Sequence, residues 1–370
     1  MHSERFRPLL TGAGPYASVY FDDSHDTADA TAQLELKWRG LREELERQDA
    51  PAKVVEHLQR AVVESRPGVG RGGRGLVASP DGVLIDEVLD WAPATPVVRF
   101  SELPYVMPVI EHGTDEIPYA LVAVDHNGAD IEVHSGGVNT ETVEGGAYPV
   151  HKAGGPETSG YGDPQPRTEE ARRTNIRAVA DRLTTIVDDC APELVFVVGE
   201  VQSRSDLVAA LPKRVAARVV QLHTGARHSG FDERELADSV ATHLAARHRE
   251  RLAEIEEQFR TAVGQGSGLA AEGLPGVCAA LRAGAVETLI VGDVGAATVL
   301  AGDNLSTLAP NAEVLSELGA APTHTFRADE ALPMVAISID ADVVGDDGIS
   351  PADGVAAVLR YPPRKAAEVS

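Results

Sequence analysis

Apolar positions before residue 65 recur at helical spacing and predict two amphipathic helices. The apolar residues are Leu34, Trp38, Leu41 and Leu45 in the first helix, and Val54, Val55, Leu58, Ala61 and Val62 in the second. Pro51 is expected to open the second helix, because proline suits the first helical turn. The runs PYASVYF (15–21) and VLIDEVL (83–89) alternate like short strands. The first part of the chain is therefore predicted to be α+β.

The pattern after residue 118 predicts a mixed sheet with helices. Two alternating runs flank Asn127 and Gly128, a pair that favours a β-hairpin. The continuous apolar run in ELVFVVG (193–199) is typical of a strand buried on both faces, and ARVVQLHTG (217–225) is interpreted as another buried strand. A helical stripe precedes them and consists of Ile176, Val179, Ala180, Leu183 and Val187. Hairpin, helix, strand, helix, strand and helix together indicate an α/β unit.

A glycine cluster, GQGSG (264–268), is typical of a linker, and a smaller α/β/α sandwich is predicted beyond it. Helices are expected at 276–283 and 309–319, strands at 286–293 and 333–344, and a closing element at 354–361. The fold class is therefore α/β with three domains. Their predicted bounds are 1–115, 116–263 with a long loop at 145–168, and 269–370.

Composition narrows the possible functions. Of the 370 residues 43% are hydrophobic and 4% aromatic, so the cores must consist mainly of Ala, Val and Leu. The net charge of −24 argues against a protein that coats nucleic acid, and any RNA contact must be local. Cys190 and Cys278 have no paired spacing, which indicates neither a disulfide nor a thiolate metal site. With neither a secretory signal nor an apolar run of ~18 residues, we expect a cytoplasmic protein without membrane contact.

Two helix starts are predicted from capping residues. Thr168 precedes Glu169 and Glu170, as an N-cap precedes the acidic residues of a first turn. Ser203 and Asp206 have the spacing of a capping box. The helix after Thr168 is then expected to carry its arginines off the buried stripe.

The long segment rich in Gly and Pro before that helix is the strongest functional signal. Connections longer than about 12 to 15 residues are uncommon in compact domains and are usually functional or disordered. Arg172, Arg173 and Arg177 follow it on the predicted helix. These arginines are expected either to contact phosphates or to form an ordinary solvated face beside Glu169 and Glu170.

A second basic segment, SRPGVGRGGRGLVAS (65–79), contains Arg66, Arg71 and Arg74 and no acidic residue. It is interpreted either as a plain connection into a strand at 76–78, or as a loop that approaches phosphates through backbone and guanidinium donors. The sequence alone leaves both interpretations open.

Strong catalytic motifs are absent from the sequence, which has no GxxxxGK[ST], HExxH, GxSxG or paired CxxC. No cofactor or metal is expected. Asp125 with Glu132 and Glu200 could form a magnesium cluster of a nuclease. A turn role for Asp125 beside Asn127 and Gly128 is favoured.

Four stretches carry a resemblance to a known family: ALVAVDHNGADI (120–131), VHKAGGPETSGYGDPQPRTEEARRTNIRAVAD (150–181), GVCAALRAGAVETLIVGD (276–293) and GVAAVLRY (354–361). The chain resembles the bacterial, chiefly actinobacterial, branch of the archaeal and eukaryotic release factor/Pelota family. Within it the chain is similar to Balon-type ribosome hibernation factors. The resemblance implies a ribonuclease H-like middle domain, whose long loop reaches the peptidyl-transferase centre, and an L7Ae-like third domain, where partner proteins dock.

The resemblance implies a non-enzymatic factor. Release factors of this family carry Gly-Gly-Gln at the loop tip, whereas here Gly154 and Gly155 precede Pro156 and Gln165 lies between two prolines. We therefore expect a monomeric stress or hibernation factor that binds the rRNA of the 70S ribosome in the A site, with elongation factor Tu as a partner, and that inhibits translation without peptide release. The alternatives are a ribosome-rescue enzyme, acting as a peptidyl-tRNA hydrolase or nuclease through the middle domain, and an adaptor that binds only proteins. The expected rRNA-binding residues are His151, Lys152, Gly154, Gly155, Tyr161, Arg167, Arg172, Arg173 and Arg177 of the middle domain, and Arg66, Arg71 and Arg74 of the first domain.

Overall fold

A computed structural model describes residues 3–24, 30–64, 72–113, 117–135, 137–144, 164–223, 233–346 and 348–363. The chain divides into two compact units. One unit combines residues 1–115 with 251–370, and the other contains residues 116–250. The division into three domains with the bounds given above stays a prediction.

The amino-terminal part is an antiparallel sheet with helices on both faces. Its elements are α1 (Arg7–Thr11), β1 (Tyr16–Asp22), α2 (Ala30–Arg47), α3 (Ala52–Glu64), β2 (Gly73–Ser79), β3 (Gly82–Leu89), β4 (Val97–Ser101) and α4 (Met107–His112). The strand order is β3-β2-β1-β4. Trp38, Leu45 and Leu58 of α2 and α3 pack on one face of the sheet against Val19 and Phe21. The two predicted amphipathic helices are therefore confirmed.

The unit of residues 116–250 is built on a five-stranded mixed sheet. Its elements are β5 (Tyr119–Val124), β6 (Gly128–His134), β7 (Val138–Glu144), α5 (Pro164–Cys190), β8 (Leu194–Gly199), α6 (Val201–Ala210), α7 (Lys213–Ala216), β9 (Val219–Gln221) and the first part of α8 (Glu233–Gln265). The strand order is β7-β6-β5-β8-β9, with β5, β6 and β7 antiparallel and β5, β8 and β9 parallel. The mixed α/β sheet predicted from the sequence is therefore confirmed.

The carboxy-terminal part adds a second mixed sheet. Its elements are β10 (Ala270–Glu272), α9 (Gly273–Arg282), β11 (Val286–Val291), β12 (Thr298–Ala301), α10 (Ala312–Glu317), β13 (His324–Arg327), α11 (Ala328–Ser338), β14 (Asp342–Gly345) and β15 (Val355–Leu359). Strands β10-β15-β11-β14 form the sheet, and β12 pairs with β13. The chain is thus an α/β protein, as its fold class was predicted.

Residues 1–115 and 251–370 share one apolar core. Leu9 and Ile110 of the amino-terminal part belong to the same buried cluster as Val335 and Ile337 of α11. A largely buried ionic contact adds to this packing. Nη1 of Arg99 lies 3.0 Å from Oδ2 of Asp329 and 3.2 Å from Oε1 of Glu330. These two parts of the chain therefore fold against each other as one unit.

Three local predictions are wrong. α5 begins at Pro164, so Thr168 lies inside the helix, because a proline is well suited to the first helical turn. The N-cap of α6 is Glu200, so the helix begins before the predicted start and Ser203 lies inside it. The predicted strand at 333–344 is helical up to Ser338. Every residue of α11 from Ala328 to Ile337 is buried, so no polar face marks its helical period.

Candidate functional site

Helix α5 carries one apolar face into the unit and displays arginines on the others. The predicted stripe of Ile176, Val179, Ala180, Leu183 and Val187 is buried, and these residues belong to the core that covers β5, β6 and β8. Arg173 and Arg177 are exposed, and Arg172 is half-buried. The helical period thus separates residues that hold the helix on the sheet from residues that face outward.

An open cleft of about 480 Å³ lies between α5 and α6, and we call it the arginine-lined cleft. Its lining residues are Glu169, Arg172, Arg173, Ile176, Arg177, Gln202, Asp206, Ala209 and Ala210. Three guanidinium groups and the carboxylate of Glu169 lie on the α5 side of this space, and the carboxylate of Asp206 lies on the α6 side. The cleft can therefore bind an anion such as a phosphate group, provided that the acidic residues leave some of the guanidinium donors available.

Asp206 restrains one of the three arginines. The carboxylate Oδ2 of Asp206 accepts a hydrogen bond of 2.6 Å from Nη2 of Arg172. Its other oxygen accepts a hydrogen bond of 2.9 Å from Nε2 of Gln202, one turn earlier on α6. Arg173 and Arg177 make no ion pair with any residue that the structure describes. These two exposed guanidinium groups are the cationic groups best placed to meet a ligand from solvent.

Two side-chain contacts fix α5 on the sheet. Arg182 donates hydrogen bonds of 2.6 and 2.5 Å to the two carboxylate oxygens of Glu141 on β7, in a bidentate pair. These hydrogen bonds lower the pKa of the Glu141 carboxyl below its ordinary value. The buried Asn175 donates a hydrogen bond of 3.1 Å to the carbonyl of His126, which lies between β5 and β6. The arginine-lined cleft is therefore built on a well-anchored helix.

Asp125 has the turn role that the sequence favours. Its Oδ1 atom accepts hydrogen bonds of 2.7 Å from the amide of Asn127 and 2.9 Å from that of Gly128. Glu132 pairs with Leu121 in the sheet, three residues before the end of β5, which is roughly 10 Å along the strand. Across the described ranges, no group of three His, Cys, Asp or Glu residues could hold a metal ion. The magnesium-cluster alternative has no support from these residues.

Several predicted rRNA-binding residues lie outside the described residues. They are Arg66, Arg71, His151, Lys152, Gly154, Gly155 and Tyr161. Arg167 lies in the first turns of α5. The structure brings together Arg172, Arg173 and Arg177 in the arginine-lined cleft, and their role in RNA binding stays a prediction.

The structure gives Arg74 a different environment from the flexible loop that was predicted. Arg74 lies in β2, and only 7% of its side chain is exposed. Its Nε and Nη2 atoms donate hydrogen bonds of 2.8 and 2.7 Å to the carboxylate of Asp86 on β3, and Nη2 also bonds to the carbonyl of Ala61 at 3.1 Å. Arg74 joins two strands and a helix, because its donors point into the protein. The RNA contact of Arg74 stays a prediction, and these hydrogen bonds all go to groups within the protein.

Sequence comparison identifies the family. Residues 118–265 match the family model described as bacterial archaeo-eukaryotic release factor family 2. The uncharacterized protein Rv2629 of Mycobacterium tuberculosis (strain ATCC 25618 / H37Rv) is 49% identical over 363 residues, which cover 98% of this chain and 97% of the relative. The chain belongs to a bacterial branch of the release factor/Pelota family. The predicted membership in a bacterial branch of the release factor/Pelota family is thereby confirmed.

Solved structures show a more distant likeness to this chain. An archaeal Pelota, from a model of ribosome-bound archaeal Pelota and ABCE1, is 14% identical with a TM-score of 0.41, over 98% of this chain and 95% of that chain. Pelota of Archaeoglobus fulgidus is 15% identical with a TM-score of 0.36, over 80% and 86% of the two chains. Because both scores are low, the family assignment rests on the sequence matches.

The segment matched by release factor family 2 contains the whole arginine-lined cleft, since both α5 and α6 lie within residues 118–265. Sequence reasoning missed the roles of Asp206, Gln202 and Asn175 in this site. The spacing of four residues between Gln202 and Asp206 was the available signal for the first two.

No described helix is long and apolar enough to cross a membrane.

Proposed function

We propose that this release factor-like protein is a ribosome-binding factor that occupies the A site and inhibits translation in dormancy or stress. The observation that carries the proposal is the pair of exposed guanidinium groups of Arg173 and Arg177, which have no ion-pair partner among the described residues and lie in the arginine-lined cleft, within the family-matched segment. Guanidinium groups suit rRNA phosphates because they can donate two parallel hydrogen bonds. In a chain of net charge −24, such a local group of cations supports a specific RNA contact over a general one.

The factor is proposed to bind without releasing peptide. Gly154 and Gly155 are followed by Pro156, so the glutamine that release factors of the related family carry at this point is absent. Gln165, the nearby glutamine, lies in the first turn of α5 and therefore belongs to a helix. This sequence supports a non-enzymatic role over a peptidyl-tRNA hydrolase.

The proposed ribosomal contacts include the segment 145–163 through His151, Lys152, Gly154, Gly155 and Tyr161. Residues 269–370 are proposed to dock elongation factor Tu, and the factor is proposed to act as a monomer. These assignments rest on the family resemblance. They predict that removal of residues 152–166 weakens ribosome binding. Omission of elongation factor Tu is expected to affect complex formation through residues 269–370 instead.

Co-sedimentation with 70S ribosomes across a salt series tests the proposal. The double variant Arg173→Ala/Arg177→Ala is expected to bind more weakly, and the slope of log affinity against log salt should fall by about 0.7 to 0.9 for each phosphate that the variant no longer neutralises. Arg214→Ala is the matched control, because Arg214 is exposed on α7 and pairs with Asp188 outside the arginine-lined cleft. Equal weakening of binding by both variants, or no binding by the intact chain with elongation factor Tu present, would contradict the proposal.

A release assay separates the proposed factor from a rescue enzyme. The intact chain, added to stalled ribosomes that carry labelled peptidyl-tRNA, is expected to bind and to leave the label on the tRNA. Release of peptide, or RNA cleavage that requires magnesium, would contradict the proposal and favour the enzymatic alternative. If the protein were an adaptor that binds only proteins, the double variant Arg173→Ala/Arg177→Ala would bind the same partners as the intact chain.

A further inference from the structure

The sheet of residues 116–250 is only partly covered on the side of α8. Leu236 and Val240 of α8 pack over Phe196 and Val198 of β8, and these four residues are buried. Farther across the same face, Val138 at the start of β7 is 62% exposed and pairs with His134 of β6. Helix α8 therefore covers β8 and leaves β6 and β7 with an open surface among the described residues.

A cleft of about 620 Å³ lies beside α8, and we call it the acidic-rimmed cleft. Its apolar wall consists of Leu121, Ala123, Val198, Leu236, Val240 and Leu244. Ala237 and Ala241 of α8 also line it, and both are exposed although they lie between buried leucine and valine positions. Because alanine has a short side chain, the backbone of α8 is accessible to close packing by another element along this side.

Aromatic rings close one end of the acidic-rimmed cleft. The rings of Tyr119 and His134 are stacked, with centroids 4.2 Å apart and planes 11° from parallel. The Tyr119 ring also meets the ring of Phe196 edge-on at 5.6 Å. Ring packing of this kind favours a defined shape at this end of the cleft.

The polar lining of the cleft is acidic. Asp130 and Glu132 lie on β6 and Glu233 lies at the start of α8, whereas no Lys or Arg is found among the described lining residues. Asp130 accepts a hydrogen bond of 2.9 Å from the hydroxyl of Thr142, and Glu132 lies 3.5 Å from Nε2 of His134. An apolar floor with carboxylates along its rim complements a ligand that is apolar on one side and cationic on the other.

We infer that the acidic-rimmed cleft docks a basic amphipathic α-helix of a partner protein. The lining residues of α8 from Glu233 to Leu244 span roughly 16 Å at 1.5 Å per residue, which corresponds to about three helical turns of an occupant. A helix beside α8 would extend the helical layer over β5, with its apolar side on Leu121 and Ala123 and its edge toward β6. Its Lys or Arg side chains would then meet Asp130 and Glu132. This inference concerns a protein partner and is independent of the proposed RNA contact.

Fluorescence anisotropy with a defined probe tests the inference. The probe is a labelled 14-residue amphipathic peptide of Leu, Ala and Lys, and a second peptide with Glu in place of Lys is its matched control. The lysine peptide is expected to bind the full chain at least tenfold more tightly than the glutamate peptide. Ala241→Arg, which fills the cleft and adds a positive charge, should weaken binding at least tenfold. Ala245→Arg adds the same charge to an exposed position of α8 outside the cleft and should change it less than twofold.

Three results would overturn the inference. Equal affinity for the two peptides would show that the rim has no preference for cations, and equal weakening by Ala241→Arg and Ala245→Arg would show that only the overall charge matters. If the peptide bound only after removal of residues 145–163, the occupant of the cleft would be that segment of the chain and not a partner protein. Circular dichroism of each variant checks that the fold is retained, which is expected because both alanines are exposed on a helix.

Discussion

A guanidinium group can bind RNA or hold a fold together, and its neighbours decide which. Arg74 is buried in a strand and places its donors on Asp86 and on the carbonyl of Ala61. Arg173 and Arg177 extend from an anchored helix into solvent and have no ion-pair partner among the described residues. The same residue type is thus structural in one unit and available for binding in the other.

The ion pair between the buried Arg74 and the exposed Asp86 leads to a prediction about stability. Asp86→Ala removes two acceptors and leaves a guanidinium group whose side chain is only 7% exposed. We expect the free energy of unfolding to fall by about 2 kcal/mol, because the buried guanidinium group then loses the carboxylate that balances its charge. Urea denaturation measures this change. Glu46→Ala, which breaks the exposed pair with Arg42, should cost less than about 0.5 kcal/mol, and an equal effect would refute the structural role of Arg74.

Glu111 gives the fold a pH dependence. It lines a cleft between Tyr105 and Asp346, and burial raises the pKa of its carboxyl from 4.5 to about 7. The folded chain therefore holds this proton more tightly than the unfolded chain. The associated stability is fully present below pH 4.5 and is lost as the pH rises through about 7.

Glu111→Gln should remove this pH dependence, because the amide does not ionise. Thermal unfolding across this pH range should show that the variant gains on the original chain as the pH rises, by up to about 1 kcal/mol, since the side chain is 40% exposed and solvent screens the effect. Glu43→Gln on the exposed face of α2 is the control. Parallel curves for Glu111→Gln and the original chain would contradict the prediction.

At the scale of elements, Asn175 links α5 to the turn between β5 and β6. Asn175→Ala removes its hydrogen bond to the carbonyl of His126 and leaves that acceptor without its amide donor. We expect a loss of about 1 to 2 kcal/mol in unfolding free energy and faster hydrogen exchange at residues 125–128. Thr174→Ala is the control, since its hydroxyl bonds only to the carbonyl of Glu170 within the same helix. Unchanged exchange in the turn would contradict the linking role.

Periodicity predicted the elements that have one buried and one exposed face. The stripes of α3 and α5, which include Val54, Leu58, Ile176 and Leu183, are buried as expected. Helix α11 is different, because its residues are buried on all sides and its apolar run is indistinguishable from that of a buried strand. A local pattern reports a contrast between two faces, and α11 has no such contrast.

The candidate site was only partly predictable for a related reason. The arginines of α5 follow an unusual segment rich in Gly and Pro, and this local signal identified Arg172, Arg173 and Arg177. The hydrogen bonds of α5 join residues that are remote in sequence, since Asp206 lies 34 residues from Arg172 and His126 lies 49 residues from Asn175. Only the topology of the sheet brings these residues together.

At the scale of the molecule, residues 1–115 and 251–370 are expected to lose stability together. Ile337→Ala creates a cavity in the core shared by these two parts and should cost about 2 to 4 kcal/mol. Hydrogen exchange should then accelerate in α1 and α4 as well as in α11, because their side chains share this cluster. Acceleration confined to residues 251–370 would contradict a common core. Val263→Ala, at a half-exposed position of α8, is the control and should have little effect.

The anchoring of α5 also fixes a direction. Asn175 marks the level of the turn between β5 and β6, and eleven residues of helix precede it back to Pro164, or roughly 16 Å of rigid rod. One residue inserted into this rod would turn everything before it by about 100° and shift it by only about 1.5 Å. The direction in which the first residue of α5 points is therefore set by the number of helical residues between Pro164 and Asn175.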